Sequence, residues 1–174
     1  MHGFLRFIGL LNAAVWLGAA VFFTVAVGPA FFSAEMLSFL PRPFAGRAAE
    51  VVIGRYFTLQ QWCGGIALAH LILEYFHSGR PVEKFTLLVV MVLFGLALAG
   101  GYWLEPKLHA LQQVRYSTRA SPARRAEAGA AFKAWHGAAR AADLAGLAGL
   151  LFYFWRLTRP AGGPRFASFD KFKS

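Results

Sequence analysis

Charge is scarce in this sequence and cysteine almost missing. Only 15% of the 174 residues are charged, against 57% hydrophobic and 16% aromatic, which excludes large soluble enzyme folds and leaves room for one domain. The few charges sit too tightly between apolar runs for a disordered or fibrous chain. The single cysteine, Cys63, permits no intrachain disulfide. Acidic residues are few as well: 8 Asp plus Glu face 18 Lys plus Arg, a net charge of +10. In a soluble chain that excess raises the question of nucleic acid, but no nucleic-acid motif accompanies it. The basic residues flank apolar runs, where anionic headgroups attract them at about 1 kcal/mol each, so the expected partner is the lipid bilayer and not nucleic acid. Gly-x-Ser-x-Gly, His-Glu-x-x-His and phosphate-loop signatures are all missing. No nucleophile can be nominated, which points to a non-enzymatic protein.

What is abundant is long apolar sequence. Residues 7–32 contain no charge and exceed the ~20 residues that cross a bilayer as a helix. The run is too long for the apolar core of a signal peptide and reads as an uncleaved anchor. Residues 56–73 and 85–104 form a second and a third uncharged run, and residues 137–155 a fourth, with Arg140 and Asp143 in its first two turns. Backbone polar groups in hydrocarbon need internal partners, so each run is predicted helical. The expected fold is all-α: a four-helix transmembrane bundle with spans at about 5–32, 56–77, 84–105 and 137–157. Residues 1–159 then form the membrane domain and 160–174 a basic aromatic C-terminal tail. The pairs Ala14 and Gly18, Gly95 and Ala99, and Ala142 and Gly146 each put two small residues on one face, and these faces are expected to pack the helices.

The connections have distinct characters. Residues 78–84, with Gly79 and Pro81, read as a tight turn. After Pro41 and Pro43, residues 44–55 read as a short amphipathic helix on the membrane surface, with Phe44, Ala48, Val51 and Val52 on its apolar side. Residues 105–135 keep helical periodicity but are polar, and read as an extramembrane helical hairpin turning at 117–122. The tail carries Phe166, Phe169 and Phe172 among Arg165, Lys171 and Lys173, suited to a membrane surface or a partner protein. Four spans put both termini on one side. That side then holds eight Lys and Arg against ten, a balance that assigns no orientation.

Ionisable groups in or beside spans are candidates for function because they are costly there. His136, Arg140 and Asp143 follow i, i+4, i+7 spacing and share one face of the fourth helix. Glu105 and His109 on the helix leaving the third run, and Tyr56 and Gln60 at the start of the second, lie on the same side of the membrane. Together they predict a polar mouth for a small anionic or zwitterionic ligand, with Arg140 as anion contact and His136 as proton-sensitive group. Structurally, Arg140 would pair with Asp143 or Glu105. On the opposite side His70, Glu74 and His77 share one face of the second helix. Glu74 to His77 spells the Glu-x-x-His of di-iron bundles, which need a second copy that this sequence does not have. His70 offers a ligand for haem b, but not jointly with His136, about 20 Å away by helix rise.

Trp16, Gly18, Phe22, Phe23, Pro29 and Phe32, residues 44–56, Glu105 with Pro106, and Phe132 with His136 together resemble the four-span proteins grouped as domain of unknown function 4149, similar to transmembrane protein 205. The resemblance implies a fold and a membrane address, without a reaction. Where that family commonly has Asn after the His of helix four, this sequence has Asp143 with an extra Arg140. More distantly, the first span resembles copper-resistance D and HemJ-type four-span proteins. Their haem would need a first-span His, and Leu10, Leu11 and Asn12 stand there instead. The expectation is a multi-pass protein of a bacterial-type inner membrane that binds a small ligand or joins a complex with other membrane subunits or itself. The alternatives are a haem- or metal-binding redox protein and a solute or metal exporter. A continuous polar cavity reaching the midplane would favour export.

Overall fold

The structure, a computed structural model, describes residues 2–78 and 83–159. The expected turn around Gly79 and Pro81 and the basic aromatic tail, 160–174, lie outside the described residues. Those described are all-helical, with no strand among them. In order they form α1 (His2–Phe22), a π-helical turn π1 (Phe23–Val27), α2 (Gly28–Ala30), α3 (Ala34–Phe39), α4 (Arg42–Ser78), α5 (Lys84–Ala99), a second π turn π2 (Gly100–Leu104), α6 (Glu105–Tyr116) and α7 (Pro122–Thr158).

Two continuous rods, Gly3–Ala30 and Lys84–Tyr116, are long and apolar enough to cross a membrane. Each contains a π turn just before a proline. The Gly28 N–H reaches back to the Phe23 carbonyl and the Glu105 N–H to that of Gly100, both i to i−5. Pro29 and Pro106 have no N–H to give and crowd the preceding turn, and widening that turn by one residue lets the rod continue.

The other two long helices correct the expected boundaries. α4 runs unbroken for 37 residues, so the stretch at 44–55 is not a separate surface helix but the first turns of the helix that carries the second apolar run. Pro43 sits in the first turn, where a missing N–H costs nothing, and no breaker follows. The packed side of this arm is also different, for Ala45 and Ala49 are buried while Phe44 and Val51 are exposed. α7 is likewise a single 37-residue helix, joining one arm of the hairpin to the fourth apolar run. Its start is capped by Ser121, which accepts from the Arg124 N–H at 3.3 Å. The hairpin turn falls at 117–121, where the Ser, Thr and Pro cluster predicts it.

α1, α4, α5 and α7 pack in a ring, each antiparallel to its neighbours. Gly9 meets His70 and Phe23 stacks on Tyr56 between α1 and α4. Gly64 meets Phe94 between α4 and α5, Phe85 meets Phe152 between α5 and α7, and Trp16 meets Tyr153 between α7 and α1. The core joins Trp16, Cys63, Ala67, Val90, Leu93 and Tyr153. Two expected packing faces are not used within the chain: Ala14 with Gly18, and Gly95 with Ala99, are exposed, and a Cβ at Gly18 or Gly95 would touch nothing. Close approach occurs instead where one glycine seats one large side chain, as at Gly64 against Phe94 and at Gly149 against Leu93.

Candidate ligand cavity

Between α1, α4, α7 and the α5–α6 rod lies a cavity of about 280 Å³. Its outer end is framed by Gly46 and Gln112 and its inner end by Trp16, Leu93 and Leu150. All seven residues of the expected polar mouth line it: His136, Arg140 and Asp143 from α7, Glu105 and His109 from α6, and Tyr56 and Gln60 from α4. The long α4 explains the company they keep. Glu50, Ile53, Phe57 and Gln60 are spaced on one face of it and form one wall.

From the mouth inwards the polarity changes. At the mouth Glu50 pairs with His109, Oε2 to Nδ1 2.7 Å apart, and Gln113 Nε2 lies 2.6 Å from the other ring nitrogen. Glu105 fits beside Gly54, its Oε1 3.4 Å from where a Cβ would stand. His136 stacks on Phe132, with ring centroids 5.7 Å apart. Burial against its neighbours, and then the Arg140 guanidinium, hold its pKa below the usual histidine value.

One turn deeper, Asp143 accepts a hydrogen bond from the Thr24 hydroxyl at 2.7 Å and interacts with Tyr56. The expected pairing of Arg140 with Asp143 or Glu105 is not formed. Arg140 is exposed, and among the described residues it makes no ion pair. The Arg140 side chain is left uncovered by the chain, whereas the shorter Asp143 accepts from a neutral hydroxyl across the cavity.

At the floor Gln60 is buried and its Oε1 accepts from Trp16 Nε1. An indole nitrogen only donates, so this fixes the amide orientation and leaves Nε2 as the free donor. Among the described residues that Nε2 has no partner. Beyond Gln60 the lining is apolar: Leu93, Leu147 and Leu150. Thr24, Glu50 and Trp16 belong to the site but escape notice as site residues in the sequence. The signal for Glu50 is its register with Gln60, visible once α4 is taken as one helix.

The opposite end of the bundle is built differently. The His70 ring lies over Gly9, with Nε2 2.9 Å from the Leu5 carbonyl oxygen, and Asn12 Nδ2 donates to the Cys63 carbonyl at 2.9 Å. Nε2, one of the two nitrogens with which a haem-binding histidine meets iron, is therefore occupied in holding α1 to α4. Glu74 and His77 are exposed and stand on the same stretch of α4. Among the described residues no group of three or more His, Cys, Asp or Glu side chains is placed to hold a metal ion.

A family model described as a domain of unknown function, DUF4149, matches residues 11–117, more than half of the chain. The chain belongs to the DUF4149 family. No curated protein and no solved structure matches it. In this DUF4149 chain the matched stretch carries three walls of the cavity, including Tyr56, Gln60, Glu105 and His109. It ends before α7, which supplies His136, Arg140 and Asp143.

Proposed function

We propose that this is a multi-pass integral membrane protein, with four spans, that binds a small organic ligand in the cavity between them. The observation that carries the reading is the cavity itself: polar groups from three helices converge on a space that extends inwards to Trp16, halfway along the Gly3–Ala30 rod. Membrane embedding is supported by the two apolar rods, in each of which an apolar 18-residue stretch is only 22% buried inside the chain, unlike the core helix of a soluble protein. It is also supported by two aromatic belts. At one level Lys107 lies over Trp103 and Trp135, and at the other Arg159 lies over Trp155 near Phe85 and Phe152. By helix rise the belts are ~27–30 Å apart, the thickness of a hydrocarbon core. An all-helical chain of this kind suits an inner, plasma-type membrane of bacterial character.

A second reading, that the ligand is carried across, is favoured by the π turns. They lie in two diagonally opposed helices, and Phe23, Gly100 and Leu104 of these turns border the cavity. Such turns are weak points at which a helix can bend. Polar lining that reaches mid-depth at Gln60 also supports carriage; binding stands first because beyond Gln60 the lining is apolar, with no polar way on to the far end.

The test is labelling in membrane vesicles of a Cys63→Ala background. A cysteine at Gly146, on the cavity wall, is expected to react with a small, charged, water-soluble thiol reagent. One at Leu144, exposed on the outer face of the same helix, is expected not to. Equal reaction at both, or none at Gly146→Cys, overturns the reading.

A further inference from the structure

The cavity lining is acidic although the chain is strongly basic. Three of the chain's eight acidic residues, Glu50, Glu105 and Asp143, border this one space, against the single guanidinium of Arg140. Glu50 is matched by His109. Asp143 is held by the neutral Thr24 hydroxyl. Glu105 makes no hydrogen bond or ion pair among the described residues. Two carboxylates thus face the space without an ion-pair partner among the described residues, and the one guanidinium on the lining, that of the exposed Arg140, pairs with neither.

The walls beside these carboxylates are aromatic. Phe23 stacks on Tyr56 with centroids 4.1 Å apart, Phe57 follows, and Trp16 closes the floor. Acidic groups among aromatic rings favour a positive charge through direct attraction, with the ring quadrupole adding to it where a face is presented. At the floor the requirement reverses. Gln60 is only 6% exposed, and its Nε2–H group, oriented by Trp16, has no acceptor among the described residues. A buried donor of this kind is costly unless something accepts from it.

Resting on the cavity reading above, we infer that the ligand is an organic cation: an aryl-alkyl amine whose ammonium sits between Glu105 and Asp143 and whose far end carries an oxygen that accepts from Gln60. About 280 Å³ corresponds to roughly nine water volumes at ~30 Å³ each, room for on the order of ten non-hydrogen atoms. Two-chain lipids are too large.

The test uses 4-methoxyphenethylamine, titrated calorimetrically into the full chain in lipid nanodiscs. Three comparison compounds change one property each: the matching alcohol removes the charge, 3-(4-methoxyphenyl)propanoate reverses it, and 4-ethylphenethylamine removes the oxygen. The amine is expected to bind at least tenfold more tightly than the alcohol or the propanoate. Glu105→Gln and Asp143→Asn, each with its thermal midpoint checked, are expected to lose at least tenfold. The ethyl analogue is expected to bind several-fold more weakly than the methoxy amine, a difference that disappears in Gln60→Leu. Tighter binding of the propanoate, lost in Arg140→Gln, overturns the cation assignment and leaves the cavity reading standing. Unchanged amine affinity in both carboxylate variants overturns it too, as does the failure of every compound to bind at millimolar concentration. In that last case the Gly146→Cys labelling separately decides whether the cavity is open to water.

Discussion

At Gly100 the Phe57 ring occupies the space a Cβ would need, and at Gly64 the nearest atom of Phe94 is 2.5 Å from it. Gly18 and Gly95 face open space. These glycines look alike in the sequence, and substitution separates them. Gly100→Ala is expected to lower stability by about 1–3 kcal/mol through overpacking. Gly18→Ala is expected to leave it unchanged or raise it by up to about 1 kcal/mol, since alanine restricts the unfolded chain and favours helix. Thermal midpoints in one detergent compare them. A marked loss in Gly18→Ala would mean that the exposed Ala14–Gly18 face packs against another molecule. His136 provides a second prediction at this scale. Its folded pKa lies below the usual value of about 6.5, so its unfolded form binds protons first as pH falls. The contribution to stability is full above that pH and is lost as pH drops through the window beneath it. Between pH 8 and 5 the midpoint of the native chain is expected to fall more than that of His136→Gln, and parallel curves would reject the argument. Residue spacing alone brings His136, Arg140 and Asp143 onto one cavity wall. It cannot show that Asp143 takes a hydroxyl from Thr24, because that contact joins residues 119 positions apart.

Among elements, the helices are readable from the length of the apolar runs, and from periodicity over 105–135, but their joins are not. Pro43 and the rise in polarity over 44–55 suggest a break, yet a proline in the first turn is a helix start, and only the packing of Ala45 and Ala49 shows where that arm belongs. The π turns leave no trace in hydropathy, since they alter register and not composition. Their sequence correlate is the proline that follows each, at 29 and 106. Continuity of α4 carries a consequence for the site, because it keeps Glu50 in register with Gln60. Val52→Pro, in mid-helix, removes a backbone donor and crowds the carbonyl at position 48. The expected cost is about 3 kcal/mol or more. Hydrogen exchange should show the arm from Arg42 losing protection while residues 60–75 keep theirs. Protection retained from Arg42 through residue 75 would reject the argument.

For the whole molecule, the decisive relation is between the charge pattern and the two aromatic belts. Asp143 lies eight residues along α7 from Trp135, ~12 Å inside its belt by helix rise. A carboxylate at that depth is tolerable where it faces a cavity and its hydrogen bonds are met, and here Thr24 meets one of them. On the proposed four-span reading, the ring of antiparallel helices also predicts which helix ends share a side, without any appeal to the undecided balance of eight against ten basic residues. α1 and α5 run one way and α4 and α7 the other, so Ser38, between α1 and α4, and Thr118, between α6 and α7, emerge at the same end, beyond Trp103 and Trp135. Residues near His2 and Thr158 emerge at the opposite end, beyond Trp155. Single cysteines placed at these positions in the Cys63→Ala background, probed with an impermeant reagent on sealed right-side-out cells, are therefore expected to fall into two groups. Ser38→Cys and Thr118→Cys should react together or not at all, and His2→Cys with Thr158→Cys should do the reverse. Reaction of Ser38→Cys without Thr118→Cys would mean that α4 or the α5–α6 rod fails to cross, and reaction of Thr118→Cys together with Thr158→Cys would mean that α7 does. The cavity would then have a wall outside the membrane, with Asp143 facing water and no constraint on what enters.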